Sequence, residues 1–230
     1  MIKNYSDFIK ALLEAGFSGS IGGKDEGVYG LFRYGWGAEE ETGIQWHTGN
    51  PDTDPWQWRI RVLSERDDIA YSKIFFKKAG YITKERYPYF LAARRGKKSF
   101  EDEYSDGRIS RFAKRIYDAV SENERLALDE IKRVAGFSRE DKSKFDSALT
   151  ELQMKMYLTM CDIYYKISKT GEEYGFSSTV FCTTELFWGE DLFDKAVNIS
   201  ENEAIEAITE QILFLNPSAR KEKISKFIKG

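Results

Sequence analysis

The spacing of apolar residues divides the chain into an irregular N-terminal segment and a more regular C-terminal half. Near the N-terminus, Phe8 and Leu12 recur at helical spacing, which predicts a helix that is capped by Ser6 and ends at Gly16. Residues 17–43 then alternate glycines with aromatic side chains. This composition favours short strands and turns over a second helix.

The next apolar run, in residues 67–82, fits either a helix or a strand, and the pattern does not decide between them. We expect Thr83 to cap the helix that follows, in which Tyr87, Phe90 and Leu91 share one face. A proline in the first turns of that helix is compatible with it, because the early backbone N–H groups have no partner within a helix.

The C-terminal half shows a regular order of elements. Three segments have helical spacing of apolar residues: 107–120, 126–136 and 139–157. Residues 158–167 and 176–187 alternate around a turn and predict a β-hairpin. Three helices followed by a hairpin indicate a winged helix-turn-helix over residues 106–187.

These patterns predict an α+β protein with three parts. Residues 1–105 form a mixed α/β module with a tryptophan-rich segment, and residues 106–187 form the winged helix. Residues 188–230 supply C-terminal helices that pack on the preceding domain, one of them opened by a capping box at Ser200 and Glu203.

Composition adds limits on the class of protein. The chain has 230 residues, of which 41% are hydrophobic, so a packed core is expected. Its longest apolar runs are far shorter than the roughly 20 residues that cross a bilayer, and its N-terminus lacks a signal-peptide pattern. We therefore expect a cytoplasmic protein with no membrane partner.

The two cysteines, Cys161 and Cys182, are too few for a disulfide framework. Neither lies in a metal-ligand spacing with a second cysteine or with His47, so we expect no metal site and no cofactor. In a reducing compartment both should be free thiols. Whether they face each other across the hairpin depends on a register that the pattern does not give.

Charge is unevenly distributed. The net charge is −3, yet residues 59–100 contain 12 basic and 4 acidic residues, a local net charge of +8. A local basic patch attracts an anionic partner whatever the overall sign, although solvated surface lysines and arginines are a common alternative. The candidate nucleic-acid-binding residues are Arg59, Arg61, Lys77, Lys78, Arg94, Arg95, Lys97 and Lys98.

The last helix of the predicted winged helix is a poor DNA reader. Its outward face carries Ser143, Ser147 and Thr150 with acidic neighbours, and residues 108–187 hold 13 basic and 13 acidic groups. A helix that enters the major groove normally offers basic or amide side chains. This balance favours a scaffold or a protein-contact role for the winged helix.

The stretch "GIQWHTGNPDTDPWQWRIR" at residues 43–61 contains the only histidine and three of the five tryptophans. Aromatic, amide and carboxylate side chains beside a basic block are what a base-stacking pocket next to a phosphate-binding surface requires. The candidate substrate-binding residues are Trp46, Asp52, Asp54, Trp56 and Trp58. Alternatively, the tryptophans cover a small core and the aspartates set turns.

"GIQWH", "KERYPYF" with its trailing arginines, and the order of helices and hairpin together resemble the AlkZ/YcaQ-type DNA glycosylases, over about residues 43–230. The resemblance implies winged-helix modules, DNA as partner and removal of damaged bases. In that family a Gln-x-Gln or Gln-x-Asp motif carries the chemistry. Gln45 falls on the first position, and His47 stands where the second Gln or Asp is expected.

The resemblance therefore makes Gln45 and His47 the candidate catalytic residues of a shortened relative, whose base-excision activity is retained, altered or lost. If the motif is an extended strand, both side chains face one cleft and Trp46 faces away. Two other interpretations stay open. One is a non-enzymatic winged-helix regulator with a protein partner, and the other is a small-molecule binding protein that uses the tryptophan-rich cleft.

Overall fold

The computed structural model describes residues 2–19, 28, 42–167, 170–171 and 173–230. Within them, six strands form one antiparallel sheet in the order β1-β3-β2-β5-β6-β4. The strands are β1 (Phe17–Ser18), β2 (Ile69–Phe75), β3 (Lys78–Thr83), β4 (Arg125–Ala127), β5 (Leu158–Ile167) and β6 (Glu173–Thr183). The chain is a mixed α/β protein, as its sequence predicts.

Helices cover both faces of this sheet. In chain order they are α1 (Tyr5–Ala15), α2 (Pro55–Glu65), α3 (Tyr87–Arg94), α4 (Phe100–Ser105), α5 (Arg111–Asn123), α6 (Leu128–Val134), α7 (Lys142–Met154), α8 (Thr184–Trp188), α9 (Glu190–Val197), α10 (Glu201–Leu215) and α11 (Lys221–Lys229).

Helix α1 forms as predicted but begins two residues earlier. The side chain of Asn4, not Ser6, caps it by accepting the Asp7 N–H at 2.9 Å. Gly16 ends it in the left-handed region, with φ of 86°. Of the predicted strands and turns in residues 17–43, β1 is present. Residues 20–27 and 29–41 lie outside the described part of the chain.

The run in residues 67–82, which the pattern left open, is the β2–β3 hairpin. Thr83 ends β3 and does not cap a helix, because its hydroxyl donates to the Gly16 carbonyl at 3.0 Å. Helix α3 begins after Arg86, which makes no side-chain capping bond, and Pro88 lies in its first turn.

The helices and hairpin predicted for the C-terminal half are present. Ser110 caps α5 by accepting the Ala113 N–H at 3.1 Å. Strands β5 and β6 pair antiparallel. Ile116 of α5, Phe145 of α7 and Phe181 of β6 meet in one buried cluster between the helices and the sheet.

The sheet runs without a break from the N-terminal segment into this half. Tyr71 of β2 pairs with Met160 of β5. Beside that pair, the Lys73 N–H donates to the side-chain oxygen of Gln153 at 2.9 Å, and Gln153 is buried on α7. The predicted boundary near residue 105 is therefore crossed by strand pairing and by a buried hydrogen bond.

The C-terminal helices α9, α10 and α11 pack against α3, which lies in residues 1–105. Leu192 of α9, Ile208 of α10 and Phe227 of α11 share a buried cluster with Phe90 of α3. The second hairpin strand, which the pattern places at residues 176–187, begins and ends earlier, at Glu173 and Thr183. It ends where Thr183 caps α8 by accepting the Leu186 N–H.

Cys161 and Cys182 are free and buried, and they lie on the neighbouring strands β5 and β6. The register leaves Cys161 unpaired between Met160 and Asp162, in a β-bulge beside Val180. None of the described helices combines the length and the apolar character that a membrane crossing needs.

Arg94 joins α3 to three other elements. Its guanidinium donates to the carbonyls of Ile74, Met154, Phe227 and Ile228 at 2.7–2.8 Å. Met154 is the last residue of α7, where helix carbonyls lack a partner within the helix. Loss of solvation lowers the pKa of Arg94 to about 9, which leaves it charged at neutral pH.

Arg94→Lys should lower the free energy of unfolding by roughly 3 kcal/mol, because one ammonium group cannot reach four carbonyls and those left unpaired remain out of water. Urea denaturation followed by circular dichroism measures the change. Arg108→Lys is the matched control, since Arg108 is exposed, and it should change stability by less than about 0.5 kcal/mol. Equal effects of the two substitutions would contradict the role of Arg94.

Candidate functional site

The loop before α2 folds around one carboxylate. Asp54 is fully buried and accepts three backbone N–H groups, from His47 at 3.1 Å, Gly49 at 2.9 Å and Trp56 at 2.8 Å. It is thereby the N-cap of α2, and Pro55 occupies the first helical position. The carboxylate of this candidate substrate-binding residue therefore accepts its hydrogen bonds from inside the loop.

The motif Gln45-Trp46-His47 is a turn and not a strand. His47 has φ of 60°, in the left-handed region, and the strand-based expectation of alternating faces does not apply to it. Gln45 and His47 are both exposed, and Trp46 is half-buried. Among the described residues, the Gln45 side chain has no hydrogen-bond partner, while its N–H donates to the Thr53 carbonyl at 3.1 Å.

Three aromatic rings, two of them exposed, and one guanidinium form a row beside this turn. The His47 ring centroid lies 5.1 Å from that of Trp56 and 6.2 Å from that of Trp46. Trp56 is 43% exposed, and the guanidinium carbon of Arg59 lies 3.6 Å from its ring centroid. We call Gln45, Trp46, His47, Trp56 and Arg59 the aromatic row.

Arg59 is held in place without a carboxylate. It lies near Tyr71 of β2, where burial raises the pKa of Tyr71 and the nearby guanidinium opposes that rise. In the described part of the chain, no acidic side chain forms an ion pair with Arg59. A guanidinium that is positioned by stacking but has no anionic partner can bind a phosphate or carboxylate group.

Two other candidates lie in residues 43–61: Trp58 belongs to the interior, and Asp52 belongs to a surface ion pair. Trp58 has no exposed surface, stacks on Phe8 with ring centroids 5.2 Å apart, and donates its indole N–H to the Asp52 carbonyl. The Asp52 carboxylate is exposed and pairs with Arg61 at 3.2 Å. For Trp58, the packing role is what the structure supports.

Arg61 is likewise occupied. Its guanidinium contacts Glu65 at 2.8 Å as well as Asp52, and lies 3.8 Å from the Tyr5 ring centroid. The hydrogen bond with Glu65 raises the pKa of Arg61. Burial raises the pKa of Tyr5 to about 12.

The remaining basic candidates do not form one surface. Arg94 binds backbone carbonyls, and Arg95 pairs with Glu185 at 2.8 Å over the Tyr157 ring, with 9% of its side chain exposed. Lys98 pairs with Asp106 at 3.0 Å. The exposed members are Lys77, Lys78 and Lys97. The basic block therefore combines structural arginines with separate surface lysines.

The stacking of Arg59 on Trp56 was not foreseen, although the sequence holds a signal for it. An aspartate followed by proline marks the start of a helix, and residues three apart on a helix are neighbours. Recognising Asp54 as the cap would have placed Trp56 and Arg59 side by side on α2.

Asp54→Ala should lower the free energy of unfolding by about 2–4 kcal/mol, because it removes a helix cap and leaves three N–H groups without their acceptor. Thermal or urea unfolding measures this loss. Asp52→Ala, which removes an exposed carboxylate two residues away, should cost less than about 1 kcal/mol. If both substitutions cost the same, the loop is not organised by Asp54.

The chain is similar to known proteins over most of its length. A family model described as AlkZ related matches residues 2–229. Among solved structures, the Streptomyces sahachiroi DNA glycosylase AlkZ is similar at 17% sequence identity with a TM-score of 0.36, over 74% of this chain and 49% of that chain. The chain thus spans about half the length of that protein. A comparison with curated proteins found no significant match.

Proposed function

The chain belongs to the AlkZ-related family, and on this basis we propose that it has a DNA-repair-related function in which the aromatic row contacts DNA that carries alkylated bases. The observation that carries the proposal is the guanidinium of Arg59, stacked on the half-exposed Trp56 at 3.6 Å. It combines an anion-binding group with an aromatic ring on one face of α2.

The chemistry of DNA supports this assignment. A nucleotide with a displaced base presents an aromatic face and a phosphate a few ångströms apart, and proteins that bind unpaired bases supply aromatic rings beside basic groups. His47, Trp46 and Trp56 supply the rings, and Arg59 supplies the charge. Alkylated purines that carry a positive charge also interact favourably with the faces of aromatic rings.

Gln45 is the residue that we assign to base excision. Its exposed carboxamide can orient a water molecule toward the sugar carbon while positive charge develops there, and its backbone is held to the loop by Thr53. A neutral His47 can accept a hydrogen bond from the same water, whereas a protonated one would oppose the developing charge.

We further propose that residues 106–187 form a winged helix that acts as scaffold or protein-contact element, not as the DNA reader. The order α5-β4-α6-α7-β5-β6 supports the winged helix. On the outward side of α7, Ser143 and Ser147 are exposed and uncharged, and Glu151 accepts hydrogen bonds from Ser110. Such a face offers few groups for reading bases.

The test is base release from alkylated duplex DNA, measured by chromatography. Wild type should release 7-methylguanine or 3-methyladenine, and Gln45→Ala should abolish release while lowering stability by less than about 1 kcal/mol. Gln57→Ala, a change at a second glutamine of the same segment, is the matched control and should retain release. No release by wild type above background would identify a non-catalytic relative.

DNA contact is measured separately by fluorescence anisotropy at low salt. Arg59→Gln should weaken binding of a duplex that carries an alkylated base by roughly tenfold, as expected for loss of one charge-assisted contact. Arg133→Gln makes the same change in charge at an exposed site on α6 and should leave affinity nearly unchanged. A small-molecule binding protein would instead show no DNA association to weaken.

A further inference from the structure

The turn between β2 and β3 has a backbone geometry that its residues do not favour. Phe76 and Lys77 both lie in the left-handed region, with φ of 51° and 62°. Two-residue hairpin turns of this kind normally use asparagine and glycine, which tolerate positive φ. Contacts with neighbouring elements must therefore hold the turn in place.

Those contacts come from α7 and α11. The Phe76 ring lies 6.1 Å from the Phe227 ring of α11, and the neighbouring Phe75 stacks on Phe227 at 3.8 Å. On the other side, the Lys77 N–H donates to the sulfur of Met154, the last residue of α7, at 3.4 Å. The turn is thus fixed between the two helices, and the Lys77 side chain is exposed.

Lysines of α11 lie beside this turn. The Lys223 ammonium is 5.7 Å from the Phe76 ring centroid, and Lys226 follows three residues later, on the neighbouring part of the helix surface. Helix α11 buries Ile224, Phe227 and Ile228 and contains one acidic residue.

The charges of these three lysines have no ion-pair partner in the part of the chain that the structure describes. Within the described ranges, no carboxylate forms an ion pair with Lys77, Lys223 or Lys226, whereas Lys229 of the same helix pairs with Glu201. The turn and α11 therefore concentrate positive charge in a chain whose net charge is −3.

We propose that Lys77, Lys223 and Lys226 form a basic surface that binds the phosphate backbone of duplex DNA beside the end of α7. This inference rests on the proposed DNA contact and adds to it a second surface, which positions the duplex but does not read its bases. Lysine suits that role, since its long side chain carries a point charge to a phosphate without selecting a base.

The structure favours DNA over a membrane as the occupant. A helix that lies on a bilayer inserts its apolar side chains, but those of α11 are buried against Phe75 and Phe90 of the protein. What remains outside is charge, and duplex DNA presents one negative charge per roughly 1.7 Å of its axis.

The test compares two triple variants that both change the net charge from −3 to −6. One carries Lys77→Gln, Lys223→Gln and Lys226→Gln, and the matched control carries Lys3→Gln, Lys10→Gln and Lys195→Gln at exposed lysines elsewhere. Duplex binding is measured by fluorescence anisotropy at several salt concentrations. The first variant should bind at least about tenfold more weakly at low salt, with a salt slope shallower by roughly 2–3, and the control should resemble wild type.

The outcomes separate this inference from the proposed function. If wild type binds DNA and both triple variants bind alike, the basic surface is wrong while the aromatic row is unaffected. If wild type binds no DNA, both proposals fail. If the first variant loses as much affinity for polyglutamate or phosphatidylserine vesicles as for DNA, the surface attracts any anion and the assignment to DNA is overturned.

Folding is controlled by circular dichroism, because Lys223 packs beside Phe76. Should the triple variant not fold, Lys226→Glu alone provides the test, since Lys226 is exposed. It should weaken duplex binding severalfold relative to Lys195→Glu. Equal affinities of these two single variants would overturn the inference.

Discussion

The four hydrogen bonds of Arg94 are the interaction on which the arrangement of this protein depends. One guanidinium on α3 holds a carbonyl of β2, the last carbonyl of α7 and two carbonyls of α11. Carbonyls at helix ends need a donor from outside the helix, and an arginine can serve several at once because its N–H groups form a rigid fork. Strand β2, α7 and α11 are neighbours as a consequence.

A second charge, that of Asp54, organises the candidate site in a similar way. It accepts three N–H groups from the loop and the first turn of α2, so that His47, Trp56 and Arg59 are placed on one side of the protein. Charged residues here therefore fall into two groups. Arg94 and Asp54 stabilise the fold, whereas Arg59, Lys77, Lys223 and Lys226 are the residues that we propose to meet an anionic partner.

Local patterns predicted much of the C-terminal half. Helices α5 to α7 follow from apolar spacing, and the β5–β6 hairpin from alternation on both sides of a turn, because these signals depend only on near neighbours. The pairing of β2 with β5 could not be predicted in this way, since it joins segments far apart in the chain. The packing of α9 to α11 on α3 could not be predicted either, because it also joins segments far apart in the chain.

The candidate site was likewise predictable only in part, because local sequence does not reveal long-range contacts. Composition marked residues 43–61 as unusual, but it could not distinguish the buried Trp58 from the exposed Trp56, or the capping Asp54 from the solvated Asp52. The same limit applies to Arg94, because a basic stretch of sequence does not reveal which side chain will find carbonyls in the interior. The turn conformation of Gln45-Trp46-His47 likewise depends on Asp54, which lies several residues away.

The central claim, that DNA meets the aromatic row, has a direct readout because His47 is the only histidine of the chain. Its imidazole C–H protons give nuclear magnetic resonance signals that need no further assignment. These signals should shift progressively when duplex DNA with an alkylated base is added at low salt, and they should return as salt is raised. Signals that stay unchanged while the protein demonstrably binds the duplex would place the DNA elsewhere and contradict the claim.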